Sequence, residues 1–283
     1  MLSGQYLLAA TEPRHRFTAR AGVLFAALIL AAWAPGCGQS TYAERVTRTE
    51  DLFRYQAKLD QALQAEWSQP GWGLAMRPPV RFRVKAAPPP AKPNDEGLVE
   101  VVVDTRQPSY LGVELPGLVA AWEVPGEAFL YLCSNHQRFV DAQAAAGDLS
   151  APENLLTDME ATLQQGFEFM LSPDPARGGS EVHAKFPERI PNSDKFAQPK
   201  PFQTIRIKKE TEPEFAASVY EHVADKIQVA VIFVYSPKFT TGVSDLESGV
   251  RLALETLRVD PVVPRGVTRP GAPGGGGGPR PAF

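Results

Sequence analysis

Ser134-Asn135-His136 places a hydroxyl two residues ahead of an imidazole, directly after the apolar run Phe129-Leu130-Tyr131-Leu132-Cys133. Serine and histidine are the residue types of nucleophile and general base. Polar residues just past the end of a buried strand are where α/β active sites form. The same tripeptide also suits a helix start, because a Ser or Asn side chain accepts a hydrogen bond from the first free backbone N–H groups. No G-x-S-x-G elbow occurs, so a hydrolase has little support. The catalytic residues stay unassigned. The tripeptide is the one candidate enzyme site, and a capped helix is its simpler reading.

The remaining reactive side chains are scattered. Beyond His15 the histidines are His136, His183 and His222. None forms H-x-x-x-H or H-E-x-x-H, and there is no C-x-x-C, so no local metal signature exists. A set drawn from His136, Asp141 and His183 would have to be assembled by the fold, whereas isolated His and Asp residues are ordinarily solvated surface groups. No metal and no cofactor are therefore expected. Cys133, ending an apolar run, reads as a small buried hydrophobe rather than a nucleophile. Gly274 to Gly278 are five consecutive glycines with no strand before them and no Lys-Ser/Thr helix after, so they read as flexible tail and not as a phosphate loop.

The N-terminus carries the clearest signal. Arg14, Arg16 and Arg20 lead into the uncharged run AGVLFAALILAAWA from Ala21 to Ala34. That run is shorter than the roughly twenty apolar residues of a spanning helix, and Pro35 and Gly36 break it. These are the marks of an export signal. The segment Ala34-Pro35-Gly36-Cys37 resembles the bacterial lipoprotein box, with Gly36 and Cys37 matching it. The resemblance implies that Cys37 is lipidated, that the signal over residues 1–36 is removed, and that acyl chains hold the protein at a membrane. In that family an Asp after the cysteine is the usual inner-membrane retention signal, and Gly38 stands there instead, which leans towards the outer membrane. An ordinary cleaved signal with Ala32-Trp33-Ala34 as its site, or an uncleaved anchor, are the alternatives. Without lipidation, a Cys37–Cys133 disulfide becomes open.

Charge narrows the partners. The chain has 29 Lys+Arg against 32 Asp+Glu, a net charge of −3. Removing the arginine-rich signal leaves a more acidic remainder. Nucleic acid is excluded as a partner, since a basic patch would be required. The expected partners are the membrane, through Cys37, and a protein of the cell envelope.

The elements follow from periodicity. Leu52, Tyr55, Leu59 and Leu63 recur at helical spacing, predicting a helix over 41–67 that either packs on the body or acts as a stalk. Trp67 and Trp72 either touch the membrane interface or pack on this helix. Arg81 to Val84 alternates like a short strand, and 86–97 is a Pro-rich linker. Strands are expected over 98–103 and 129–133, with short strands in the turn-rich piece 110–124. A helix follows over 135–146. Ser150-Ala151-Pro152-Glu153 and Ser244-Asp245-Leu246-Glu247 read as capping boxes. They open helices faced by Leu156, Met159 and Leu163, and by Leu246, Val250, Ala253, Leu254 and Leu257. The Pro-rich segment 171–201 is long for a loop inside a domain and is the best place to seek a binding surface. Strands are expected from Phe202, over 215–223 and over 227–235. The last, IQVAVIFVY, is so apolar that both its faces must be buried, which calls for cover on each side of the sheet.

The order from Phe202 to Val259, ending in Leu257-Arg258-Val259, resembles the C-terminal half of the PsbP-like α/β/α sandwich superfamily. That resemblance implies binding or assembly rather than catalysis, and it transfers no functional residue. The expectation is thus an α+β fold: a mainly antiparallel sheet covered by helices (an α/β/α sandwich), an extra N-terminal helix and a disordered C-terminal tail. Its segments are a signal (1–36), an N-terminal helix and linker (37–97), an α/β domain (98–259) and a tail (260–283). The expected function is a lipid-anchored cell-envelope protein that binds or scaffolds, facing the periplasm or exterior. The alternative is an anchored enzyme using Ser134, Asn135 and His136.

Overall fold

The computed structural model describes residues 39–89, 102–144, 151–168, 182–188, 196, 200–209, 214–236, 238 and 242–264. The signal, Cys37, Ser150, the strand expected at 98–101 and the glycine-rich tail from 265 on lie outside the described residues. The described chain falls into two contact units divided after Gln56.

The first helix, α1, runs over Gln39–Ala62. It ends earlier than the expected Trp67, which opens a strand instead. Within the first unit it is strongly polar, and its side chains from Ser40 to Glu50 are exposed. Thr47 and Thr49 donate hydroxyl hydrogen bonds back to the Ala43 and Arg45 carbonyls. Arg54 pairs with Asp51 one turn before it.

The second unit is built on two antiparallel sheets. Its elements in order are β1 (Trp67–Gln69), β2 (Leu74–Met76), β3 (Arg83–Val84), β4 (Leu118–Val124), β5 (Ala128–Ser134), α2 (His136–Ala144), α3 (Leu155–Phe167), β6 (Ala184–Phe186), β7 (Phe202–Lys209), β8 (Phe215–Ala224), β9 (Ile227–Tyr235), α4 (Val243–Thr256) and β10 (Arg258–Val259). The large sheet has the order β3-β4-β5-β9-β8-β7-β6, and the small one β1-β2-β10. The α+β class and antiparallel pairing agree with the sequence. Val102 and Val103, at the end of the expected strand 98–103, lie in no strand.

The unit also begins before Leu98. Leu63, Leu74, Met76 and Phe82 are buried in its core, and β3 pairs with β4 through Arg83↔Glu123 and Val84↔Trp122. Short strands at 67–76 carry few residues and no alternation, so only their partner reveals them. That partner is the Arg258-Val259 pair, which joins β2 from the far end of the chain.

β9 is the centre of the large sheet. Alternation sends Val229, Val231 and Phe233 to one face and Ala230, Ile232 and Val234 to the other. On the first face they meet Leu130, Leu132, Trp122 and Tyr220, covered by Leu246, Val250, Ala253 and Leu254 of α4 and by Leu74 and Met76 of β2. On the second they meet Tyr131, Cys133, Val219, Ile205 and Ile207, covered by Met159, Leu163 and Phe167 of α3. The cover on the first face is therefore part helix and part sheet.

Helix starts differ from the expected capping boxes. Gly242, with φ +97°, precedes α4, and no side chain caps it, so Ser244 lies inside the helix. A 3-10 turn over Pro152–Asn154 leads into α3, and the N–H of Leu156 is taken by Gln228 Oε1 from β9. The tertiary fold supplies that cap. At the start of β4, Gly117 takes φ +65°, and a Cβ there would lie 2.5 Å from the Ser134 carbonyl oxygen, so only glycine allows β4 and β5 to close. No helix among the described residues is long and apolar enough to cross a membrane.

Ile232 is fully buried in the second core. Ile232→Ala should lower unfolding free energy by about 3 kcal/mol, as measured by urea titration with an unchanged slope. A loss under about 1 kcal/mol would mean that β9 is not the shared wall of both cores.

Candidate functional site

Ser134, Asn135 and His136 sit where β5 runs into α2, and all three are fully buried. Ser134 Oγ lies 2.7 Å from His136 Nδ1 and 3.1 Å from the Gln228 carbonyl oxygen. A carbonyl only accepts; when the hydroxyl proton is given to Gln228, Nδ1–H donates to Ser134 Oγ. In that tautomer the ring cannot remove the serine proton. His136 Nε2 has no hydrogen-bond partner among the described residues, and the ring stacks on Trp72 at 5.7 Å between centroids, with 8° between planes. Trp72 therefore packs on the body, and Trp67 likewise meets Trp122 edge to face.

Asn135 makes three long-range bonds. Its Nδ2 donates to the Pro152 and Lys226 carbonyls at 3.1 and 2.9 Å, and its Oδ1 accepts from the Gln228 N–H at 3.0 Å. Gln228 Nε2 reaches on to the Glu153 carbonyl. Asn135 thus joins the end of β5, the β8–β9 turn and the approach to α3. The Asn135 carbonyl still accepts the first bond of α2, from the Phe139 N–H, while its side chain is spent elsewhere. The hydroxyl, the amide and the imidazole are thus all buried, and the Asn135 side chain ties three elements together.

The other expected placements resolve simply. Cys133 is buried, and burial pushes its thiol well above the usual range, so it is an inert core residue. Asp141 is exposed and accepts a hydrogen bond from Gln137. His222 Nδ1 donates to the Pro201 carbonyl at 2.9 Å. The set His136, Asp141 and His183 is not brought together.

A different set is. Glu160 of α3, His183 just ahead of β6 and Glu221 of β8 each offer a ligand atom, and those atoms lie within 4.8 Å of one another. His183 Nε2 is 2.9 Å from Glu160 Oε1 and 3.6 Å from Glu221 Oε2. Alternation along β8 explains Glu221: it shares the face of Ala217 and Val219, the face that α3 covers. Only 4% of its side chain is exposed, against 21% for Glu160 and 32% for His183. Glu221 Oε1 has no hydrogen-bond partner among the described residues. Burial, with the neighbouring Glu160 charge, pushes Glu221 up to about 7, His183 pulling the other way. No sequence motif marks this cluster, since its members come from three elements. The one usable hint was the segment 171–201, which holds His183.

No protein-family model matches the chain, and no curated protein matches its sequence.

Two outcomes follow for the buried tripeptide. Asn135→Ala removes three hydrogen bonds to part-buried backbone groups and should cost about 2 kcal/mol, read by chemical denaturation; a change below about 0.5 kcal/mol would remove its structural role. Burial lowers the His136 pKa from the ordinary 6.5, outweighing the opposite pull of Asp260. The unfolded chain then binds the proton more readily, so the stability from a neutral His136 is present above pH 6.5 and is lost as pH falls below it, by at most about 1.4 kcal/mol per pH unit. His136→Phe, which keeps a ring on Trp72, should flatten this acid slope between pH 6.5 and 5; an unchanged slope would show that other groups set it.

Proposed function

We propose that this chain is a lipid-anchored protein of a bacterial cell envelope that works by binding another protein rather than by catalysis. The anchor rests on Arg14, Arg16 and Arg20, the uncharged run that follows them, and Gly36-Cys37. Several acyl chains at Cys37 would hold it firmly, each buried CH₂ adding about 0.8 kcal/mol. The observation that favours binding over catalysis is the complete burial of Ser134, Asn135 and His136, the residues of the enzyme alternative. The resemblance of Phe202–Val259 to the PsbP-like superfamily leans the same way. The envelope partner would meet the body outside the membrane, on the periplasmic or exterior side.

Mass spectrometry of the mature N-terminal peptide from the host's membrane fraction tests the anchor. The expected peptide begins at Cys37 and carries diacylglycerol and an N-acyl chain, and a Cys37→Ser variant should keep residues 1–36. A wild-type peptide with unmodified Cys37, or one cut elsewhere, would overturn it. Crosslinking in intact cells should then trap one recurrent envelope protein. Turnover of ester, peptide or glycoside substrates by the purified full-length protein would sink the binding reading.

A further inference from the structure

We propose that Glu160, His183 and Glu221 form a binding site for a first-row divalent transition metal, with Zn²⁺ its best fit, held between α3, the segment before β6 and β8. The inference goes beyond the anchoring reading and does not depend on it.

The first argument is geometric. Three protein donors on a Zn²⁺ at the usual bond lengths of about 2.1 Å stand about 3.4 Å from one another. The His183–Glu221 separation is already 3.6 Å, His183–Glu160 is 2.9 Å, and all three ligand atoms lie within 4.8 Å of one another, so the donors stand near the spacing a cation requires. Three ligands leave the fourth tetrahedral position to water or to an outside ligand.

The second argument is electrostatic. A carboxylate that is 96% buried, with one oxygen unpaired and another carboxylate beside it, is costly unless a positive charge offsets it. A protonated His183 contributes one charge and has one Nε2–H, which points to Glu160 at 2.9 Å. A dication with two carboxylates and a neutral imidazole gives a locally neutral centre.

The donor set decides the class of metal. Ca²⁺ takes six to eight oxygen ligands, and Mg²⁺ keeps most of its water. Two carboxylates with one imidazole suit Zn²⁺ and its first-row neighbours instead. The half-exposed His183 and Glu160 leave a path from solvent, and Glu221 forms the floor. Such a metal would fasten residue 183, in the middle of a long Pro-rich segment, to the sheet and to α3.

The full-length protein, purified in detergent and stripped with a chelator, should bind one Zn²⁺ per chain by titration calorimetry. Its thermal midpoint should rise on loading, and Co²⁺ should give the visible absorption of a tetrahedral site. Mg²⁺ and Ca²⁺ should do neither. Losing an outer-sphere partner alone weakens a metal site by about 10–100-fold, so Glu160→Gln and His183→Ala should each weaken Zn²⁺ binding at least tenfold with circular dichroism unchanged. Both positions are part-exposed, so the variants should fold even if Glu221→Gln does not. Absence of stoichiometric Zn²⁺ uptake, or weakening under about tenfold in both variants, would overturn the proposal.

Discussion

A strand with apolar side chains on both faces must be walled on both sides, and β9 imposes that constraint on everything else in the second unit. From Ile227 to Val234 its side chains alternate between two separate cores. One core is closed by α4 with the small β1-β2-β10 sheet, and the other by α3. Each wall is therefore tied to the same nine residues. Antiparallel neighbours β5 and β8 extend both cores sideways through the pairs Leu130↔Phe233 and Val219↔Ile232. Such close packing is sensitive to the loss of a few methyl groups.

The polar node beside β9 is a consequence of the same burial. Where β5 leaves the sheet, part-buried backbone groups of Gln228, Lys226 and Pro152 find partners inside the protein. Asn135 and Gln228 supply those partners and cap α3 as well. Ser134 and His136 complete the node and lie under Trp72. A hydroxyl and an imidazole in sequence look like chemistry, but here Ser134 Oγ is bonded inside the fold, while His136 Nε2 is left without a hydrogen-bond partner among the described residues. Gly117 belongs to this arrangement, because its missing Cβ leaves room for the Ser134 carbonyl.

The Glu160–His183–Glu221 cluster also holds a buried polar atom without a partner, as the node does at His136 Nε2. Here Glu221 keeps an unpaired oxygen at 4% exposure. A buried carboxylate short of a partner reads as a place for something charged. The two clusters draw on opposite faces of one sheet: Ser134 and His136 adjoin the core closed by α4, while Glu221 adjoins the core closed by α3.

Local pattern determined much of this protein. IQVAVIFVY declared a strand buried on both faces, and Leu246, Val250, Ala253 and Leu254 declared the helix that covers one of them. These features rest on residues near one another in sequence, where periodicity of two or 3.6 is enough. The proposed export signal and lipid attachment at Cys37 are likewise readings of the order of charge, apolarity and cysteine, made without any fold. Tertiary structure decided the rest. It drew Leu63, Leu74, Met76 and Phe82 into the core, paired β2 with Arg258-Val259 across the length of the chain, and brought Gln228 to the first turn of α3. It buried the Ser134–His136 pair and brought Glu160, His183 and Glu221 together. Each of these depends on contacts between residues far apart in the chain, and no local spacing encodes which distant partner a side chain will meet.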